Sequence, residues 1–390
     1  MHAWKVLCEN KGGVAILVGV SMVVLLSVAA FAVDYGFGLV ARNELKNVAD
    51  AAALAGTRCL GAIYAGKQGP GAHPCSPATP LTPTQQQNYV LSGSDRAAIV
   101  AQVQNVAQKN TAGGKSITIA NTDISVGQWD LKAQSLTVTD TRPTAVEVTA
   151  RRDGVANGPI STFFANIMGI TTANVTSTSV NTVSATVMHP TAALTGVSHV
   201  EPGGLTIPVG ISQQWFANNA AFCNQNIQFY PTNTPTGCAG WNTFEESPAN
   251  ASTLSKEILQ KLPPLGTYET PDATVGTTSF TYIGGNVASA LDDLYTLFDK
   301  NATPDATSPT GRSWKIFVPV YQSTDCKNPS GSLPIVGFAT AFITDVQCPS
   351  KCPTKGQLVQ AKVECNLIED NARGGGAEFG TIGAIPGLVQ

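Results

Sequence analysis

The sequence predicts an α+β protein with a single amino-terminal membrane-crossing helix, which continues into a longer helix and is followed by mainly antiparallel, disulfide-braced β-sheet units carrying a few helices. Three observations predict this. Residues 12–33 contain no charged side chain. Residues 34–60 stay rich in Ala and Leu and free of proline. Beyond residue 115, Thr- and Val-rich segments alternate with period two, the signature of half-buried strands.

The apolar run, GGVAILVGVSMVVLLSVAAFAV, has 22 residues. As a helix it extends about 33 Å, enough to cross a hydrocarbon core of about 30 Å. A buried core helix would be amphipathic, whereas this one is apolar all round. Lys5 and Lys11 flank one end and Arg42 and Lys46 the other, so positive charge barely sets the orientation. The nine cysteines speak more clearly. Cys59, Cys75, Cys223, Cys238, Cys326, Cys348, Cys352 and Cys365 follow the run, and Cys8 alone precedes it. An even set on one side and a singleton on the other fits an oxidising exterior and a reducing cytosol. Residues 1–11 are thus expected in the cytoplasm and the bulk of the chain outside the inner membrane. Ala30-Phe31-Ala32 has the small-x-small form of a signal-peptidase site, but the apolar run exceeds a signal peptide's usual length, and retention of the anchor is the expectation.

Within residues 34–60, Ala41, Leu45, Val48, Ala52, Ala55 and Cys59 recur at alternating steps of four and three, with Arg42, Glu44, Lys46, Asp50 and Arg58 off the line. Carried backward, the stripe passes Gly38 and reaches Asp34 at the membrane boundary. Small residues at such spacing let another helix approach closely. The stripe either faces a partner helix or packs on this chain's own domain, and spacing alone leaves both open. Asp34 reads as the marker that ends the apolar run, with a pairing role in a partner complex as the alternative.

Lys11-Gly12-Gly13-Val14-Ala15, Ala32-Val33-Asp34-Tyr35-Gly36 and Arg42-Asn43-Glu44-Leu45-Lys46-Asn47-Val48-Ala49-Asp50-Ala51-Ala52-Ala53-Leu54-Ala55-Gly56 together resemble the amino-terminal region of TadE/TadG-like proteins of the bacterial Flp pilus, or tight-adherence, assembly systems. A second stretch, 144–188, more weakly resembles the strand, helix and strand that follow in TadG-like proteins. The resemblance implies a single-pass inner-membrane protein with an exported domain, serving pilus assembly or adhesion. The implied partners are the inner membrane and helices of other pilus-assembly or secretion components, with a homo-oligomer as a further option. Two features of the wider family are missing. The fifth residue after Gly13 is Val18 where prepilin-like relatives carry Glu, and no Asp-x-Ser-x-Ser adhesion motif occurs.

Residues 61–93, rich in Pro, Gly, Thr and Gln, read as a linker that Cys59 and Cys75 could staple to the helix end. An α+β unit is expected over 94–190. It opens with a helix capped by Ser94, with Ile99, Val103 and Val106 on one face and Gly113-Gly114 stopping it. Strands follow at 116–120, 123–129, 135–139 and 144–150. A short helix at 159–170 is expected to bury Phe163, Phe164 and Ile167, and a strand at 173–187 closes the unit. A second unit over 191–372 should hold a strand at 204–212, helices at 252–262 and 286–299, and strands at 314–322, 333–346 and 357–367. Cys223 and Cys238 bracket a loop with room for a disulfide. Residues 373–390 read as a loosely ordered glycine-rich tail.

Composition excludes several function classes. With 23 Lys plus Arg against 26 Asp plus Glu the net charge is −3, so no electrostatic grip on nucleic acid is expected. Charged residues make up only 13%, and 22 residues of span are too few to explain that deficit. Its source is an exported domain whose polarity comes from hydroxyls and amides. No P-loop, dinucleotide fingerprint, zinc-protease motif or calcium loop occurs, so no catalytic, cofactor or metal residue is nominated. Cys348-Pro-Ser-Lys-Cys352 could join Cys326 and Cys365 in a zinc site, but export favours two disulfides. Pairing stays open, because eight cysteines allow 105 connectivities. Ser198-His199-x-Glu201 is the one local cluster of catalytic residue types. The expected function is a non-enzymatic, membrane-anchored component of a pilus-assembly apparatus, scaffolding or binding through its periplasmic domain. A surface-exposed minor pilin or adhesin is the alternative, and an exported hydrolase using Ser198 and His199 a remote one.

Overall fold

In the computed structural model the apolar run and the stripe lie on one continuous helix, α1 (Asn10–Ala65), 56 residues and about 84 Å long. The structure describes residues 10–66, 72–168, 172–173, 187–188, 190–232, 234, 237–284 and 286–389. No proline interrupts α1, and it ends at Gly66, whose φ of +63° lets its N–H bond back to the Ala62 carbonyl. Its first half is exposed throughout, with Leu17 72% and Leu25 69% accessible. Ser21 and Ser27 donate their hydroxyls to the carbonyls of Leu17 and Val23 at 2.8 Å, so neither presents an unpaired polar group to an apolar surrounding.

The second half of α1 is the spine of the first unit. Beside it lie the short α2 (Pro83–Gln87) and α3 (Gly93–Gln108). The cap of α3 is Ser92, whose Oγ accepts from the Asp95 N–H, rather than the expected Ser94. Its buried face is Ile99, Val103 and Ala107 rather than Val106, and the helix stops before Gly113-Gly114. With α3 sharing its core, α1 packs on a five-stranded antiparallel sheet of β1 (Ile124–Asp130), β2 (Ser135–Val138), β3 (Ala145–Val148), β4 (Thr191–Ala193) and, from the far end of the chain, Gly387–Leu388. Leu45, Val48, Ala52, Ile99, Val103, Val126, Val146 and Leu194 make the shared core.

Residues 159–170 do not form the expected helix. Ile160–Ser161 pairs as a strand with Thr172–Ala173, and a single 3₁₀ turn follows at Ala165–Met168. Phe163 and Phe164, expected inside, are 59% and 43% exposed. Of the strand expected over 173–187, most lies outside the described residues.

The second unit is built on β5 (Val197–Val200), β6 (Val209–Ser212), β7 (Asn226–Tyr230), β8 (Ala239–Trp241), β9 (Ala273–Thr274), β10 (Ser279–Tyr282), β11 (Arg312–Tyr321), β12 (Gly331–Gln347), β13 (Leu358–Glu364), β14 (Leu367–Gly374) and β15 (Thr381–Ile385). An eight-stranded sheet runs β7-β13-β12-β11-β6-β8, with β10 pairing β12 and Thr303–Pro304 pairing β11. Within it β6 and β11 are parallel, and the other pairs are antiparallel. A four-stranded sheet runs β9-β5-β14-β15. The amphipathic α4 (Leu291–Asn301) covers the larger sheet with Leu291, Leu294, Leu297 and Phe298.

The glycine-rich end is not a loose tail. It supplies β15 and the edge strand of the first sheet, so the end of the chain interlocks with the first unit. Glycine serves close backbone approach here. A Cβ on Gly376 would lie 2.1 Å from the Val197 carbonyl oxygen, and one on Gly383 would lie 2.7 Å from that of Ala372.

Candidate functional site

The sequence motifs converge on residues 34–65 of α1, where the helix leaves its apolar run and enters a folded domain. Asp34 is the first charged residue after the apolar run. Its carboxylate accepts hydrogen bonds from three successive backbone N–H groups, Phe163 at 2.8 Å, Phe164 at 3.1 and 3.2 Å, and Ala165 at 2.6 Å. Partial desolvation pushes the Asp34 pKa up, but these three donors outweigh it and hold the carboxyl below the usual range. One turn further along, Phe37 meets Phe163 edge-on at 5.1 Å.

The following turns are each fastened to a different part of the chain. Glu44 accepts from the Gly113 N–H at 2.7 Å. Thr57 Oγ1 donates to the carbonyls of Ala53 and Ala192, each at 3.0 Å, and Arg58 Nη1 donates to the Ala384 carbonyl at 2.9 Å. Gly61 passes so close to the same carbonyl that a Cβ would sit 2.2 Å from its oxygen. Tyr64 donates to the Pro143 carbonyl at 3.1 Å. Gln86 of α2 then joins the helix end to the second unit. Its Nε2 donates to the Tyr64 carbonyl and its Oε1 accepts from the Ile368 N–H.

The stripe, which the spacing left open to a partner helix or to this chain's own domain, is buried mostly within the chain. Gly38, Ala41, Leu45, Val48 and Ala52 are buried, Ala55 is half-buried, and the elements covering the helix are α3, β3, β4, β14 and β15. The physical reason is width. Ala49, Ala53, Gly56 and Leu60 are buried beside the stripe, making a broad apolar face that one partner helix would not cover but a sheet and a helix do. That second row was visible in the sequence. The long-range partners of Asp34, Glu44, Thr57 and Arg58 were not.

Comparison with known families agrees with this geometry. The Flp pilus-assembly TadE/G-like family matches residues 12–63, and the Tad-like Flp pilus-assembly family matches residues 76–180. Over these two stretches the chain is similar to TadE/TadG-like Flp pilus-assembly proteins. The first match is α1 almost end to end, and the second covers α2, α3, β1, β2 and β3, the last of which packs on α1. No curated protein and no solved structure matches the chain.

Four cysteine pairs lie at disulfide distance, Cys59–Cys75, Cys223–Cys365, Cys238–Cys326 and Cys348–Cys352. The first is the staple expected at the helix end. Cys223 and Cys238 do not pair with each other, because β7 and β8 carry them to different neighbours, the end of β13 and the loop after β11. Cys8 lies outside the described residues. Cys326, Cys348, Cys352 and Cys365 are spent in three separate bridges, which removes them as a zinc site, and among the described residues no cluster of three or more metal-ligating side chains occurs.

Ser198 and His199 sit next to each other on β5 but do not form a nucleophile and base. Ser198 Oγ donates to the carbonyls of Gly374 and Arg373, at 2.6 and 3.3 Å. His199 pairs its Nδ1 with Thr274 Oγ1 at 2.7 Å and its Nε2 with Glu201 at 3.5 Å. The Ser198 hydroxyl and the Nδ1 of His199 join β5 to β14 and β9, while the Nε2 of His199 faces Glu201 just beyond the same strand.

Proposed function

We propose that the protein is a single-pass inner-membrane component of the Flp pilus-assembly apparatus, with its amino terminus in the cytoplasm and its disulfide-braced α+β domain in the periplasm, where that domain scaffolds or binds other components. One observation carries the reading. A single unbroken helix is uncharged and largely exposed over residues 13–33 and built into the domain core over its second half, so a force on the span reaches the domain without a flexible joint. The membrane-crossing length and composition of α1 support the anchor. Four disulfides after the span support an oxidising compartment for the domain.

With the stripe buried, contacts to other components fall on the span and on the outer surface of the domain. Carbonate extraction followed by protease treatment of spheroplasts tests the reading. The expected result is a chain that resists extraction and loses its domain to protease added outside. Recovery in sheared filaments would instead assign it to the surface as a minor pilin or adhesin, and a protease-resistant domain would reverse the topology.

A further inference from the structure

Soluble domains bury neighbouring phenylalanines, yet Phe163 and Phe164 stand 59% and 43% exposed. The segment carrying them is held at two points. At its start the buried Arg152 guanidinium donates to the carbonyls of Gly158 and Pro159 at 2.9 and 3.1 Å, and also to that of Ala112. At its end Asp34 gathers the N–H groups of residues 163–165. A segment tied by two charged groups with its aromatic rings outside is built to present those rings.

Their height along α1 follows from the same contacts. Asp34 is the residue immediately after the uncharged run, and the Phe37–Phe163 contact at 5.1 Å keeps the rings within one helical turn of it. On α1, Phe31 and Tyr35 stack at 6.1 Å at this level, 68% and 45% exposed. Two separate stretches of chain thus set aromatic rings at the level where the apolar run ends. Aromatic side chains collect at that boundary, because the ring leaves water while the neighbouring backbone stays hydrated.

We propose that Phe163 and Phe164 form a second membrane contact, inserting into the headgroup–acyl boundary of the bilayer beside α1, so that the domain rests on the membrane at two points. This rests on the reading that residues 12–33 cross the bilayer. A single helix leaves a domain free to swivel about its axis, and a second contact beside it sets the face presented to neighbouring components.

Photo-crosslinking of the full chain in phosphatidylethanolamine/phosphatidylglycerol vesicles tests this. A benzophenone analogue of phenylalanine replaces Phe163 or Phe164, with Leu25 in the apolar run and Val138 as reference positions. Val138 is 65% exposed and pairs opposite Gly127, far from Asp34 along α1. Lipid adducts are expected at Leu25, Phe163 and Phe164, with yields at the two phenylalanines at least about tenfold above Val138. Adducts at Leu25 without any at Phe163 or Phe164 overturn the proposal while leaving the anchor intact, as does crosslinking of either phenylalanine to a second protein chain. Absence of lipid adducts at Leu25 as well overturns the membrane span itself, and the second contact with it. Phe164, which makes no ring contact with α1, supplies the reading should bulk at Phe163 disturb Phe37.

Discussion

The Asp34 carboxylate accepts the Ala165 N–H at 2.6 Å across 131 residues of sequence, tying the point where the helix leaves its apolar run to the edge of the folded domain. The charge that ends the span also caps a turn of the domain. Span and domain are therefore joined by a hydrogen-bonded corner as well as by the helix.

Acid should release that corner. The Asp34 pKa is depressed in the folded protein, so its stabilising contribution is complete above the unfolded carboxylate value of about 4 and fades as pH falls through the lower folded value. Amide exchange at Phe163, Phe164 and Ala165, corrected for intrinsic rates, should be constant between about pH 5 and 8 and accelerate in stronger acid. Asp34→Ala should give the fast rates at every pH. Unchanged protection in that variant would show that the N–H groups are held by something else.

Charge placed on the stripe separates the two faces of α1. Ala52 is fully buried, so Ala52→Glu puts an unpaired carboxylate in the core and should cost about 3–5 kcal/mol. Half-buried Ala55 should accept the same change at within about 1 kcal/mol. Urea unfolding of the full chain in detergent measures both. Equal, small effects would mean that the stripe is free of the domain after all.

Gly61 offers a steric test of the helix dock. The missing Cβ would lie 2.2 Å from the Ala384 carbonyl oxygen, a backbone atom that cannot rotate away. Gly61→Ala should therefore destabilise by about 1–3 kcal/mol although it raises helix propensity. A stabilised variant would show that the C-terminal strand does not lie against α1.

The disulfides should differ in worth according to the chain they close. Cys223–Cys365 spans 142 residues and Cys348–Cys352 only 4. By loop-closure entropy their removal should cost about 5 and about 2 kcal/mol respectively. Paired Cys→Ala variants compared by denaturant midpoint give the ranking. Alkylation of the unreduced, unfolded chain should find one free thiol, Cys8, and a larger number would break the four-bridge assignment.

Much of the fold was legible because its signals are local. Ala145–Val148 and Ile124–Asp130 alternate with period two and are strands where the alternation put them. Val287, Leu291, Leu294 and Phe298 recur at helical spacing, and all four are buried around α4. The misreadings share one cause. Phe163 and Phe164 follow an apolar pattern that predicts burial, but three N–H groups bound by Asp34 turn that segment against α1 and leave the rings outside. Gly376 and Gly383 suggest a slack tail when read alone, yet each is a place where two backbones touch.

The residues by themselves determined the long helix and the division of the cysteines about its uncharged run. A run of 22 uncharged residues and an even set of cysteines beyond it carry that information without reference to any distant position. Only the tertiary structure decided where the helix goes once it leaves the run. A stripe of small residues specifies how closely something can approach but not what approaches, and pairing over 131 or 142 residues depends on which strands close around the helix. Helix length and polarity are properties of neighbours in sequence. The dock that joins span to domain is a property of atoms that meet only after folding.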